Sequence, residues 1–187
     1  MFHGIRPGGG KQPNQPAMDR AIVALQAGDR DAMQTLYAES ATAVYAYALS
    51  LLKNASDAED VLHDCYVRAF AHAASYRSHN KPMAWLLTIA KNLCYSILRE
   101  RSRFAPSEES DLSAADFAPP EQRIVLEACM QQLSERERQI VVLHAVSGLK
   151  HREIAALLSL PLGTVLSQYR RAIGKLRAKL EQEGIEA

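Results

Sequence analysis

One stretch governs what this chain can become. Residues 104–122, FAPSEESDLSAADFAPPEQ, hold no base, five acids (Glu108, Glu109, Asp111, Asp116, Glu121) and three prolines. Such a segment buries too little apolar surface to offset the entropy of ordering it. It predicts a flexible acidic linker, and it divides the 187 residues into two units near the lower size limit for independent stability. On both sides apolar residues recur at helical spacing, and no run alternates with period two between turn residues as a strand would. The expected fold is all-α: two small helical domains, 18–103 and 123–187, joined by the linker. Residues 1–17, with Gly8-Gly9-Gly10 and three prolines, predict a disordered tail.

Within 18–103, Asp29 is placed to cap a helix running to about Lys53, with Met33, Leu36, Tyr37, Val44, Tyr47 and Leu51 on its apolar face. Ser56 and Glu59 read as a capping box for a second helix carrying Val61, Leu62, Cys65, Phe70 and Ala73. After a loop over 75–81, Pro82 fits the first position of a long helix through Trp85, Leu86, Ile89, Leu93 and Ile97 to Arg103. Beyond the linker, Pro120 can open a helix through Ile124, Leu126 and Met130. Ser134 and Glu137 form a further capping box ahead of Ile140, Val141, Leu143 and Val146, and Gly148 stops that helix. A short helix from Lys150 to Leu158, a turn over 159–163 and a final helix from Thr164 complete the chain.

The net charge of +1 argues at first against a nucleic-acid partner. Counted by segment, it is a cancellation. Residues 17–103 carry ten bases and nine acids, the linker none and five, and residues 123–187 ten and seven. Cys65, Cys94 and Cys129 are odd in number and form no CxxC pair, so neither a disulfide framework nor a zinc knuckle is expected. No cofactor and no metal are called for. No apolar run approaches the ~18–20 residues of a membrane span, so no direct membrane insertion is expected. The opening MFHGIRPGGGKQPNQPAMDR has no leader-like apolar core, and a reducing cytoplasm fits best.

A short helix, a tight turn and a second helix make the helix-turn-helix plan, which sets its second helix in a DNA major groove. Ile154-Ala155 supplies a branched and a small residue where the two helices approach, and Val165, Ala172, Leu176 and Leu180 give the second one a buried stripe. Thr164, Ser167, Gln168, Arg170 and Arg171 are then free to face outward. Arg170, Arg171, Lys175, Arg177 and Lys179 put five bases and no acid into ten residues, the local excess that phosphate neutralisation needs. In the N-terminal unit, Asp57, Glu59, Asp60 and Asp64 cluster at a helix start. They either favour the helix dipole or form an acidic docking surface for a basic partner. Tyr76, Trp85 and Tyr95 are interleaved with Arg77, Lys81, Lys91 and Arg99, a pattern suited to single-stranded nucleic acid; Trp85 on an apolar face also fits a core.

Two stretches together resemble a known family. DAEDVLHDCYVRAF (57–70) followed by KPMAWLLTIAKNLCYSILRERSR (81–103) resembles the second conserved region of extracytoplasmic-function sigma factors, and LSERERQIVVLHAVSGLKHREIAALLSLPLGTVLSQYRRAIGKLRAKL (133–180) resembles their fourth. The resemblance covers roughly residues 18–182. It implies a non-enzymatic factor whose partners are core RNA polymerase, promoter DNA and an anti-sigma factor. It implies that Asp57, Glu59, Asp60 and Asp64 dock on the polymerase clamp. Tyr76, Ser78, Asn80, Lys91 and Asn92 would capture an unpaired base of the minus-ten element, with Trp85 structural. Thr164, Ser167, Arg170, Arg171 and the following Lys175 would read the minus-thirty-five duplex. The chain departs from the family pattern at Leu166 and Gln168, where bases are common, at Ile173, and at Ser159, where glycine is frequent. Leu166 and Ile173, seven apart, can share a face for a partner protein. Two other functions remain open: a free-standing helix-turn-helix regulator, and a helical metalloenzyme or redox sensor using His63, Cys65, His72 and Cys94.

Overall fold

The computed structural model describes residues 12–78, 81–104 and 130–182, and among them every regular element is helical. Phe104, expected to begin the linker, is still helical; the rest of the linker with Pro120, and Ile124, Leu126, Cys129, His79 and Asn80, lie outside the described residues. The N-terminal unit holds α1 (Gln15–Gln26), α2 (Ala32–Leu52), α3 (Ala55–His72), a short 3-10 turn (Ala73–Ser75) and α4 (Pro82–Phe104). The C-terminal unit holds α5 (Glu135–Ala145), α6 (His151–Leu158) and α7 (Leu162–Gln182).

The tail expected over 1–17 gives way to helix at Gln15. Asn14 caps α1 by accepting from the Ala17 N–H at 3.1 Å, Pro16 sits in the first turn where no donor is needed, and Met18, Ala21, Ile22 and Leu25 are buried. Asp31 rather than Asp29 precedes α2; Asp29 instead accepts from the Asp31 N–H. α3 is capped by Asn54, whose side chain accepts from the Asp57 N–H at 3.0 Å, so Ser56 lies inside the first turn and the expected Ser56–Glu59 box does not form. The Ser134–Glu137 box forms as expected, and Pro82 opens α4.

α2 is the hub, packing against α1, α3, α4 and, from the other unit, α5. One apolar cluster therefore runs through both units, joining Val44, Leu86 and Leu93 to Ile140, Leu143 and Ile154. α4 also meets α6, where the Lys91 ammonium donates to the Leu157 carbonyl at 2.6 Å.

Candidate functional site

α3 turns its small and aliphatic residues, Ala58, Val61, Cys65 and Ala69, inward. Its outward side begins acidic and ends apolar. Glu59, Asp60 and Asp64 are exposed, and they are followed by Val67 at 55% and Phe70 at 46% exposure. The helical period assigns Phe70 to the core, but it lines a groove of about 460 Å³ between α2 and α3 with Met33, Tyr37, Glu59, Leu62 and Val67. The signal for this face was Val67, an apolar residue standing between Asp64 and Arg68 on the side opposite Ala58. Asp57 does not share it: its carboxylate pairs with Arg101, whose guanidinium also donates to the Leu52 carbonyl at 3.5 Å. Asp57 thus ties α4 to the α2–α3 junction.

The segment between the 3-10 turn and α4 places the second set. Tyr76 is buried, and its ring meets Trp85 edge-on with centroids 5.2 Å apart. Its hydroxyl donates to Asp19 of α1, and the Ser78 hydroxyl donates to the other Asp19 oxygen at 2.6 Å. Burial first, then the bond to Asp19 and its charge, push the Tyr76 phenol well up, so it stays a donor. Beside the two rings lies a second cavity, also about 460 Å³, lined by Arg77, Lys81, Ala84 and Thr88 and closed on one side by Glu153 and Leu157 of α6. Asn92 is exposed one residue after Lys91, whose ammonium is engaged by α6. Asn80 lies outside the described residues.

The third set sits on α5–α7. Ser159 adopts a left-handed conformation (φ 55°, ψ 44°) as the C-cap of α6, and the turn closes with the Leu160 N–H donating to the Ala155 carbonyl at 2.9 Å. α7 starts at Leu162, directly after Pro161 and two residues before the expected Thr164. Val165 and Ala172 are buried against α5 and α6, while Leu176 and Leu180 are half-buried. Tyr169 packs its ring edge against a stacked His144–His151 pair. On the opposite side of α7, Ser167, Arg170 and Arg171 are exposed, Thr164 is half-buried, and the Ser167 hydroxyl donates to the Thr164 carbonyl at 2.9 Å. Lys175 is committed elsewhere, its ammonium 2.7 Å from the carboxylate of Glu137, which is 1% exposed. Leu166 is 44% exposed, whereas Ile173 is half-buried, so the two do not form one open face.

The residues of the metal or redox alternative do not converge. His63 and His72 are exposed, Cys65 and Cys94 are buried, and the Cys65 thiol donates to the Leu86 carbonyl at 3.6 Å. Burial pushes both thiols up to about 12, far from the thiolate range a ligand or sensor needs. Among the described residues no helix is long and apolar enough to cross a membrane.

Residues 36–104 match the model of sigma-70 region 2, and residues 119–176 that of sigma-70 region 4. The ECF RNA polymerase sigma factor EcfG of Rhodopseudomonas palustris (strain TIE-1) is 32% identical over 146 residues, 75% of this chain and 81% of that protein. The ECF RNA polymerase sigma factor SigK of Mycobacterium ulcerans (strain Agy99) is 30% identical over 168 residues, 82% and 88% of the two chains. Among solved structures, the sigma factor RpoE of Bartonella quintana, in complex with the anti-sigma factor NepR, superposes with a TM-score of 0.67 at 25% identity, covering 81% of this chain and 98% of that one. CnrH, in complex with the cytosolic domain of CnrY, gives 0.65 at 25% identity over 89% and 98%. With the all-helical fold, the helix-turn-helix and both conserved regions in order, the chain belongs to the extracytoplasmic-function family of RNA polymerase sigma factors.

Proposed function

We propose that this chain is a dissociable subunit, acting in the cytoplasm, that binds core RNA polymerase and directs it to promoters through minus-ten and minus-thirty-five elements. The observation that carries the reading is the pairing of two unlike surfaces: an aromatic pocket flanked by Arg77 and Lys81 of the N-terminal unit and closed on one side by α6, and a helix-turn-helix with Arg170 and Arg171 outward. Unstacking a base costs a few kcal/mol, and a pocket that holds the extruded base offsets part of it. Upstream duplex anchoring needs only phosphate contacts and a few base edges. The chemistry is the polymerase's, so no catalytic residue is required here.

Glu59, Asp60 and Asp64, continued by Val67 and Phe70, supply a face for the polymerase with both charge and buried area; Asp57 supports it from within the fold. Tyr76 and Trp85 form the pocket wall, exposed Asn92 on α4 and Asn80 are assigned to the same strand of DNA, and Ser78 acts through the loop. Thr164, Ser167, Arg170 and Arg171 face the upstream duplex, and Lys175 fixes the helix that carries them. The domain limits 18–103 and 123–187 and the linker 104–122 are part of the same proposal. An anti-sigma factor is the expected regulator, because the structural relatives CnrH and RpoE were solved with CnrY and NepR bound. A free-standing regulator would leave the α3 face without a use.

The test is a division of labour. Tyr76→Ala and Asn92→Ala are expected to slow open-complex formation while leaving closed-complex affinity near wild type, and Arg171→Ala to weaken closed-complex binding itself. Equal effects of all three on both steps would refute the assignment.

A further inference from the structure

α1 carries three polar residues, Gln15, Asp19 and Gln26, spaced by four and seven, so they share one side of the helix with buried Ile22 between them. All three bind the same short segment of chain. Gln26 donates its side-chain amide to the Ala73 and Tyr76 carbonyls at 2.9 and 2.8 Å. Asp19 accepts the Tyr76 and Ser78 hydroxyls, one on each oxygen. Gln15 accepts from the Met83 N–H, at the first turn of α4, at 3.3 Å. The backbone of Tyr76–Ser78 belongs to no helix, so these side chains replace the ladder that would otherwise hold it.

We propose that Asp19 is a positioning residue for base capture: its carboxylate fixes the loop so that the Tyr76–Trp85 pocket is ready-made before DNA arrives. This rests on the pocket assignment proposed above. The geometry is specific. One carboxylate holds residues 76 and 78, so the chain cannot pivot about Arg77, which is left exposed at the rim of the cavity it lines. Hydrogen bonds to an ionised oxygen are short and about twice as strong as neutral ones, which suits a residue that must keep a ring in place. Because Asp19 takes both hydroxyls, Tyr76 and Ser78 contribute ring and backbone shape to the pocket rather than free hydroxyl donors. A site that must hold its groups to within about half an ångström needs such support behind it.

The experiment uses the full-length protein with its core polymerase and a fork-junction probe whose minus-ten non-template strand is single-stranded, drawn from a promoter selected out of a randomised library. Asp19→Asn keeps the shape but replaces one acceptor oxygen by a donor. It should weaken fork binding roughly tenfold, as loss of a charge-assisted hydrogen bond does. Binding to a fragment carrying only the upstream duplex should stay within about twofold. Abasic sites are then scanned through the single strand. At the captured position wild type and Asp19→Asn should bind alike, since what the variant has lost is the grip on that base. A penalty that persists undiminished on the abasic probe, or no penalty on the intact one, overturns the proposal. Trp85→Ala separates this failure from failure of the pocket itself. Lost fork binding in Trp85→Ala with an unaffected Asp19→Asn rejects only the positioning role, while wild-type behaviour of both rejects the pocket. If Asp19→Asn does not fold, Ser78→Ala, at an exposed position, removes one arm. It is expected to cost about threefold on the intact probe and nothing on the abasic one; no cost on the intact probe overturns the proposal.

Discussion

Replacing Lys175 by methionine should destabilise the C-terminal unit, although the side chain lies on a helix surface. Its partner Glu137 is 1% exposed and accepts from the Ser134 N–H at 2.9 Å, the Ser134 hydroxyl at 3.0 Å and the Lys175 ammonium at 2.7 Å. Removing one member of a fully buried pair costs about 3–5 kcal/mol. The Lys175 side chain is 40% exposed and already screened by water, so about 2–3 kcal/mol is expected. The pH dependence gives the sharper check. Burial alone would push the Glu137 carboxyl up, but the Lys175 ammonium and the Ser134 donors outweigh it and hold it below its ordinary 4.5. The stability it contributes is thus present above pH 4.5 and is lost as pH falls through the lowered folded value. In Lys175→Met the ammonium's part of that lowering is gone, and the carboxyl protonates more readily than in wild type. The gap between variant and wild type, from urea unfolding followed by far-UV circular dichroism, should be largest near neutrality and shrink towards about pH 4. A loss under about 0.5 kcal/mol at neutral pH, or a loss that ignores pH, would show that the pair does not hold α5 to α7.

His151 is pushed below 6.5, by burial first and then by His144 stacked 4.4 Å away, so its neutral form is favoured in the fold. Its contribution is complete above pH 6.5 and falls away as pH drops through the lowered folded value. The melting midpoint should therefore decline over that window in wild type and less in His151→Phe; identical profiles would contradict this. Ser159→Gly should relieve the left-handed strain at φ 55° and raise stability by about 0.5–1 kcal/mol, whereas Ser159→Ala should gain nothing. In a Cys129→Ser background, Cys65 and Cys94, with thiols pushed up to about 12, should resist a thiol reagent in the native protein and react in urea. Rapid native reaction of either would contradict their burial.

Helical periodicity and end signals made most of the fold legible, because they are local. Ser134–Glu137, Pro82 and Gly148 act within one turn of themselves, and each does in the structure what its residue type predicts. α1 was obscured by its surroundings. Gly8-Gly9-Gly10 and the nearby prolines suggest a tail, yet Asn14 and Pro16 are a helix start and Met18, Ile22 and Leu25 a buried stripe. What the sequence does not display is partnership across long separations. Asp57 meets Arg101, Lys175 meets Glu137, and Asp19 meets Tyr76 and Ser78. A charge pattern reads Asp57 and Lys175 as surface groups for a partner; only packing shows that each also has an ion-pair partner within the fold. Phe70 errs in the opposite direction, apolar and at core spacing but left open beside Val67.

Promoter-dependent run-off transcription by purified core polymerase, with and without this protein, tests the central claim most directly. A defined transcript that appears only with the protein, from a promoter selected out of a genomic library, is the expected result. Folded protein that binds DNA yet yields no such transcript from any library promoter would contradict the assignment.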